Sequence, residues 1–258
     1  MFADLQGRRV LVTGASRGIG LAVAAALLQH GAKVVVSARQ DENSMLGSLV
    51  DLGASIRRCH ALSADLTVAG AAAQLVDDAA NWLGGLDVVV NNAGGLVARR
   101  GLAEQDGDFS EQVMALNGHS ALHVTRAALP HLLASVQETG LSASVIGTGS
   151  IAGWNGGGPG AGLYAAAKAW LHAVQRSWVK EYSPQGIRFN TIAPGTIETE
   201  FHADKDDAWR QSVAAGIPLR RLGQCADLVP AYLFLSSHRC SGYITGHVLD
   251  VNGGQWLS

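Results

Sequence analysis

Short apolar runs alternate along the chain with longer segments whose apolar residues recur at helical spacing. The apolar runs predict strands at 9–13, 33–39, 55–62, 86–90, 143–148, 187–193 and 246–251. The intervening segments predict helices at 21–29, 41–53, 67–83, 110–136, 163–182 and 227–236, and Pro130 is expected to kink or break the helix over 110–136. Strands that alternate with helices form βαβ units joined by right-handed crossovers. We therefore expect an α/β fold, a doubly wound parallel sheet of about seven strands flanked by helices.

Composition narrows the class of protein. Hydrophobic residues make up 48% of the chain and charged residues 16%, which favours a large buried core. A net charge of -2 argues against a nucleic-acid binder, which needs a basic surface. The three cysteines form no Cys-x-x-Cys pair, and no apolar run approaches the ~20 residues that span a bilayer. We expect a cytoplasmic protein with one domain over 1–258, including a lid at about 196–215.

A glycine-rich turn joins the first predicted strand to the first predicted helix. It reads Gly14-Ala-Ser-Arg-Gly18-Ile-Gly20. Glycines let the backbone approach a pyrophosphate closely, and a helix N-terminus favours its negative charge. The alternative is an ordinary strand–helix turn, but both flanking elements favour a dinucleotide site.

The end of the second predicted strand bears on the choice of dinucleotide. Many dinucleotide folds place an acidic residue there, which binds the adenosine ribose hydroxyls. Here that place holds Ala38, followed by Arg39, and Arg17 in the glycine turn is expected on the same side. Two guanidiniums suit a 2′-phosphate. This pattern favours NADP(H) over NAD(H), although Asp41 and Glu42 lie close by.

The segment after the fifth predicted strand carries the candidate chemistry. Tyr164 and Lys168 are four residues apart, so a helix places them on one face. A neighbouring ammonium favours the phenolate, so we expect Lys168 to lower the pKa of Tyr164 and make it a general acid or base. Ser150 lies just past the strand, where open α/β sheets bind ligands. Taken alone, the Tyr/Lys spacing is common by chance.

Other polar or aromatic residues admit plain structural readings. We expect His119 and His123 to be structural rather than metal ligands, since no third ligand is evident. Arg99 and Arg100 are read as solvated, with guidance of an anionic substrate as the alternative. Trp154, at the start of a glycine-rich loop, is expected either to line a substrate pocket or to pack in the core.

These motifs, in this order, resemble the short-chain dehydrogenase/reductase family over essentially the whole chain. The resemblance rests on Thr13-Gly14-Ala15-Ser16-Arg17-Gly18-Ile19-Gly20, Asp65, Asn91-Asn92-Ala93-Gly94, Asn117, Ser150, Tyr164, Lys168, Pro194-Gly195, Thr199 and Asn252-Gly-Gly. One departure is visible, because the interval from Ser150 to Tyr164 is slightly longer than the family's usual one.

The resemblance implies a site and a reaction. It implies hydride transfer between a nicotinamide dinucleotide and an alcohol/carbonyl pair, with Asn117, Ser150, Tyr164 and Lys168 as the catalytic set and Asn117 orienting a water that relays protons from Lys168. The implied cofactor contacts are Gly14, Ser16, Arg17, Gly18, Ile19, Gly20, Arg39, Asp65, Leu66, Asn91, Ala93, Gly94, Tyr164, Lys168, Pro194, Gly195, Ile197 and Thr199.

The resemblance leaves the substrate open. A carbonyl reductase is the main reading, and the alternatives are a 3-oxoacyl-thioester reductase or a sugar or polyol dehydrogenase. A non-catalytic dinucleotide sensor and a lyase or epimerase are weaker readings. Family members are commonly homotetramers, so the apolar side of the Tyr164 helix is expected at a subunit interface, with a homodimer as the alternative. We expect a small-molecule substrate, no metal, and neither a nucleic acid nor a membrane as partner.

Overall fold

A computed structural model describes residues 2–203 and 205–257. Within them, seven parallel strands form one sheet in the order β3-β2-β1-β4-β5-β6-β7. The direction of winding reverses between β1 and β4, which pair with Val10 opposite Val88. Ligands bind at such a switch point, outside the carboxyl ends of the strands. The predicted doubly wound α/β sheet is therefore confirmed.

The strands are short and mostly apolar, as expected for a sheet covered on both faces. They span Arg9–Thr13 (β1), Lys33–Ala38 (β2), Cys59–Ser63 (β3), Val88–Asn91 (β4), Ala143–Thr148 (β5), Ile187–Pro194 (β6) and Val248–Val251 (β7).

The helices of the described residues cover both faces and connect the strands. They span Gly18–Gln29 (α1), Glu42–Asp51 (α2), Ala71–Leu83 (α3), Gly107–Met114 (α4), Ser120–Thr139 (α5), Ala152–Asn155 (α6), Gly162–Tyr182 (α7), Asp207–Gly216 (α8), Cys225–Ser236 (α9) and His238–Ser241 (α10). A single turn of π-helix at Ala115–His119, called the π-turn from here on, joins α4 to α5.

Alternate residues of each strand point to opposite faces of the sheet, and each face has its own core. On one face Val10 and Val12 pack beneath α1, α2 and α9. On the other, Leu11 and Val89 pack beneath α3, α5 and α7. These two apolar layers hold the strand ends in fixed positions relative to α1, which begins in the glycine turn, and α7, which carries Tyr164 and Lys168.

Several element bounds differ from the sequence expectation, including those of β3 and α3. β3 begins at Cys59 because residues Ile56–Arg58 form a 3₁₀ turn. α3 begins at Ala71 rather than at 67, and Asp65 accepts hydrogen bonds from the amide and hydroxyl of Thr67 instead of capping the helix.

A further difference concerns Pro130, which was expected to kink or break its helix. α5 continues through it from Ser120 to Thr139. Pro130 lies on the exposed side of the helix, where water can hydrogen-bond the backbone carbonyl that a proline leaves without a donor. The departure from α geometry occurs instead at the π-turn that contains Asn117.

No helix built from the described residues combines the length and apolar character needed to cross a bilayer.

Candidate active site

The turn between β1 and α1 is shaped by close backbone contacts. Gly14 has a φ of 62°, and a Cβ there would lie 2.7 Å from the Cα of Ala93. A Cβ on Gly20 would lie 2.5 Å from the carbonyl oxygen of Gly14. Real Cβ atoms do not approach backbone this closely, so both positions require glycine. The turn consequently lies directly against the chain that follows β4.

A small hydrogen-bond network fixes that contact. The Thr13 hydroxyl accepts from the amides of Asn92 and Ala93, at 3.1 Å each. The Asn92 side-chain amide donates to the carbonyl oxygens of Thr13 and Gly14, at 3.2 and 2.9 Å. Thr13 and Asn92 therefore join the ends of β1 and β4 and form the floor of a cleft at the switch point.

The N-terminus of α1 faces this cleft. The helix begins at Gly18, and the preceding Arg17 makes no side-chain capping bond. The first amides of a helix lack intrahelical partners and, with the helix dipole, attract anions. Thr199 lies alongside, with its methyl 3.7 Å from the position of a Cβ on Gly18. This end of the cleft is suited to a phosphate group.

The two arginines expected to face a 2′-phosphate have different surroundings. Arg17 forms an exposed ion pair with Glu200, which follows Thr199 in the predicted lid. Arg39 is exposed and lies near enough to Asp65 to contribute to a lowered pKa of that carboxyl, after the larger effect of its hydrogen bonds from Thr67. Of these two arginines, only Arg39 therefore has no carboxylate partner at hydrogen-bond distance among the described residues.

The predicted catalytic side chains converge at the carboxyl end of β5. Ser150 lies close enough to the Tyr164 phenol to affect its pKa, and the Lys168 ammonium lies 5.7 Å from the centre of the Tyr164 ring. Lys168 Nζ donates to the carbonyl oxygen of Thr148 at 2.8 Å. Tyr164 is half-buried, whereas Lys168 is only 3% exposed. The spacing on α7 thus brings phenol, ammonium and hydroxyl to one place.

Burial controls the ionisation of this group. Loss of hydration raises the pKa of Tyr164, and the hydrogen bond with Ser150 acts in the opposite direction. In the chain alone the pKa of Tyr164 is therefore raised, whereas the expectation was that it would be lowered. Burial also lowers the pKa of Lys168, to about 8. The expectation considered only the charge of the neighbour and omitted the cost of removing both groups from water.

Asn117 is held in the π-turn and faces Lys168. Its side-chain amide donates to the carbonyl oxygens of Gly95 and Val113, at 2.9 and 3.0 Å, while Oδ1 accepts from the Gly95 amide. A Cβ on Gly94 would lie 2.9 Å from Asn117 Oδ1 and 3.0 Å from Lys168 Nζ. Both atoms therefore border Gly94, where the chain after β4 passes the site.

Comparison with known proteins agrees with this geometry. Residues 14–255 match the family model described as enoyl-(acyl carrier protein) reductase. The chain is 32% identical to the 3-oxoacyl-[acyl-carrier-protein] reductase FabG of Vibrio cholerae, covering 98% of this chain and 99% of that protein. It is also 32% identical to the L-rhamnose 1-dehydrogenase (NAD(P)(+)) of a Sphingomonas species, over 98% of both.

A solved structure is similar at higher identity. The NADH-dependent reductase A1-R′, responsible for alginate metabolism, has a TM-score of 0.90 and 44% identity, covering 99% of this chain and all of that one. The chain belongs to the short-chain dehydrogenase/reductase family. It is accordingly related throughout its length to oxidoreductases that bind nicotinamide dinucleotides.

The cleft of this short-chain dehydrogenase/reductase fits such a dinucleotide. Gly14 and Gly20 keep side chains out of the turn beside the helix N-terminus, and the first amides of α1, which lack intrahelical partners, supply hydrogen-bond donors there. These are features of a turn that binds a phosphate group. The other expected contacts lie in segments at the carboxyl ends of the strands: Ser16 and Ile19 in the turn after β1, Leu66 after β3, Pro194 at the end of β6, and Gly195, Ile197 and Thr199 after it.

Sequence reasoning missed one buried residue at the site, His172. It lies one turn beyond Lys168 on α7, and its Nε2 accepts from the Ser150 amide at 3.4 Å. Its ring packs against Trp154 with a centroid distance of 4.6 Å, and the Trp154 indole donates to Asp250 at 3.1 Å. The i, i+4 spacing from Lys168 was the available signal. Trp154, left open between pocket and core, thus contacts His172 and β7.

The segment with Arg99 and Arg100 contacts the glycine loop instead of being wholly solvated. The Arg99 guanidinium donates to the carbonyl oxygen of Pro159 at 2.9 Å, and the backbone amide of Arg100 donates to the carbonyl oxygen of Gly160 at 3.1 Å. The Arg100 guanidinium also lies 4.3 Å from the centre of the Phe109 ring. The two arginines therefore hold the loop that precedes Tyr164.

Proposed function

We propose that this protein is an NADP(H)-dependent oxidoreductase that interconverts a carbonyl and a secondary alcohol, with Tyr164 as general acid and base. The observation that carries the proposal is the contact of Ser150 with Tyr164, with Lys168 alongside, next to a cleft suited to a dinucleotide. When bound, the dinucleotide supplies or accepts a hydride. The residues of the chain would manage the substrate oxygen and its proton.

Each catalytic side chain has a role that its surroundings support. Ser150 would hydrogen-bond the substrate oxygen, and Tyr164 would donate its proton to that oxygen in reduction or remove it in oxidation. The interaction with Ser150 opposes the effect of burial on the Tyr164 pKa. A charged Lys168 would favour the phenolate in the same direction. Since both Asn117 amide hydrogens are engaged, a water beside Lys168 would accept no bond from that side chain.

Replacing Tyr164 with Phe tests this assignment, since it keeps the ring and removes the acid. We expect kcat to fall by about 10²–10⁴-fold, the usual contribution of a general acid. Tyr182→Phe is a matched control because it removes a phenol from the far end of the same helix, α7. Full turnover by Tyr164→Phe with a substrate that the wild type reduces would overturn the role of Tyr164.

The proposed preference for NADP(H) rests mainly on Arg39. It is exposed at the end of β2, whereas Arg17 is already paired with Glu200. Similarity to a reductase described as NADH-dependent favours the other dinucleotide. We expect kcat/KM for NADPH to exceed that for NADH, and Arg39→Ala to raise KM for NADPH about tenfold without affecting NADH. A wild type that prefers NADH would refute the preference.

A sugar-derived carbonyl is the second candidate for the substrate. The 44% identity to a reductase responsible for alginate metabolism and the similarity to L-rhamnose 1-dehydrogenase favour it over the 3-oxoacyl thioester suggested by FabG. Initial rates with both reduced cofactors against uronate-derived ketones, aldoses, small ketones and acyl thioesters would decide. Turnover of thioesters alone would exclude the sugar candidate.

We also propose a homo-oligomer, a tetramer or a dimer, and a lid over the site at 196–215. Trp170 and Trp178 on α7 are half-buried in the single chain, and Phe201 lies 5.9 Å from Tyr164 between ring centres. The lid range includes Asp204, which lies outside the described residues. Light scattering gives the oligomeric state, and a monomeric mass at micromolar concentration would contradict the first proposal.

A further inference from the structure

His172 is enclosed by the loop that carries Ser150. A Cβ on Gly149 would lie 2.3 Å from His172 Nε2, and one on Gly153 would lie 2.7 Å from its Cε1. The imidazole therefore occupies space that two glycines leave free. The Trp154 ring covers it, and Asp250 on β7 holds the Trp154 indole. With 3% of its surface exposed, the ring has little freedom to move.

The hydrogen bonds define the state of the ring. The Ser150 amide can only donate, so Nε2 must accept and the proton of a neutral imidazole must be on Nδ1. Nδ1 has no partner among the described residues. Burial, then the charge of Lys168, lowers the pKa of His172 to about 4, with Asp250 acting in the opposite direction and Arg176 in the same one. The ring is therefore neutral at physiological pH.

His172 connects two parts of the site that the sequence separates. Tyr164 and Lys168 belong to α7, whereas Ser150 lies in the loop after β5. The Ser150 hydroxyl accepts from the Ala152 amide at 3.0 Å and interacts with the Tyr164 phenol, so its position depends on how its backbone is held. The imidazole holds that backbone from the same helix that carries Tyr164 and Lys168.

We propose that His172 is a positioning residue, whose neutral imidazole accepts from the Ser150 amide and fixes the Ser150 hydroxyl relative to Tyr164. This inference rests on the proposed function, since it assigns Ser150 to the substrate oxygen. It adds a positioning contact from a side chain that touches neither substrate nor cofactor. Trp154 and the two glycines then serve to keep the ring in place.

Two substitutions separate the hydrogen bond from simple packing. His172→Leu fills the space without an acceptor, and His172→Gln places an amide oxygen near the position of Nε2. We expect His172→Leu to lower kcat about tenfold, the equivalent of one hydrogen bond, with KM for the cofactor unchanged within twofold. His172→Gln should recover activity to within about threefold of the wild type.

Two controls distinguish positioning from instability. Gln175→Leu replaces another buried polar side chain of α7, one that contacts the His247 carbonyl instead of the site, and should leave kcat unchanged. In a Ser150→Ala background, His172→Leu should cause no further loss, because its effect passes through Ser150. An equal loss in both backgrounds, or no recovery with Gln, would overturn the proposal.

A measurement without turnover separates this proposal from the proposed function. Nitrogen-15 NMR of labelled histidine, assigned with His172→Gln, should show His172 as the neutral Nδ1–H tautomer between pH 6 and 8. The Nε2–H tautomer would refute the contact with Ser150, whatever the activity. If the wild type reduces no carbonyl with either cofactor while the Nδ1–H tautomer is found, the proposed function fails and the contact stands.

Discussion

Two glycine-rich loops border the cleft, and their glycines are needed for different reasons. In the turn from Gly14 to Gly20 the atoms too close for a Cβ include backbone, namely the Cα of Ala93 and the carbonyl oxygen of Gly14. In the loop after β5 the atoms closest to a Cβ on Gly149 or Gly153 belong to one side chain, His172. Backbone cannot be exchanged by mutation, whereas a side chain can.

This difference bears on which loop can vary in evolution. In the first loop, any residue other than glycine at these positions would disrupt the contact with the chain after β4. This is expected of a turn that binds a phosphate group common to all the dinucleotides. The second loop depends on particular side chains, including Trp154, Arg99 and Arg100. A change of substrate can therefore arise in the second loop through paired substitutions.

Gly20→Ala should have the largest effect, because neither the Gly14 carbonyl nor α1 can move away. We expect a loss of about 2–3 kcal/mol in the free energy of unfolding, as for an overpacked core, and at least about tenfold weaker cofactor binding. Urea unfolding and dinucleotide titration measure the two effects.

Gly47→Ala is the matched control, since Gly47 is also helical but nothing lies within 4 Å of its Cβ position. That substitution should stabilise the protein by about 0.5–1 kcal/mol through helix propensity. If Gly20→Ala binds dinucleotide as the wild type does, the backbone argument for the first loop is wrong.

The same difference explains what could be predicted from sequence. The strand–turn–helix order and the Gly14–Gly20 spacing are local patterns, and they correctly located β1, α1 and the cleft between them. Tyr164 and Lys168 share one helix, so their spacing alone predicted a common face. The structure brings Ser150 and Asn117 to the same place, while the assigned catalytic roles of all four stay predictions.

The errors arose where long-range packing decides. The pKa of Tyr164 depends on burial, which a list of charged neighbours does not contain. The continuation of α5 through Pro130 depends on which side of the helix faces water. The contact between His172 and Ser150 joins residues 22 apart through a tertiary fold and could be suspected only from the helical spacing to Lys168.

The second loop should also be sensitive to acid, and the first should not. The folded state lowers the pKa of His172 from 6.5 to about 4. The neutral imidazole therefore contributes its full stabilisation above pH 6.5, and this stabilisation is lost as the pH falls from 6.5 towards 4. Between pH 7.5 and 5 the wild type should lose about 2 kcal/mol more unfolding free energy than His172→Gln. Urea unfolding at the two pH values measures this difference.

A surface histidine provides the control for this pH dependence. His123 is exposed on α5, so His123→Gln should lose as much stability as the wild type between the two pH values. Equal losses for the wild type and His172→Gln would show that the loop tolerates a protonated ring, and the side-chain contact would then be looser than the geometry indicates.

The smallest expected effect concerns the ion pair that connects the first loop to the predicted lid. Arg17 and Glu200 are each 64% exposed, and such pairs contribute about 0.2–1 kcal/mol. Glu200→Gln frees Arg17 for a 2′-phosphate, so KM for NADPH should fall about two- to threefold at low salt while KM for NADH stays constant. The difference should vanish at high salt and in an Arg17→Ala background.

Glu138→Gln removes an equally exposed partner of Arg9 at the opposite end of the strands and should leave both KM values unchanged. An equal change for both cofactors would show that Glu200 acts on lid position, and that Arg17 takes no part in reading the 2′-phosphate.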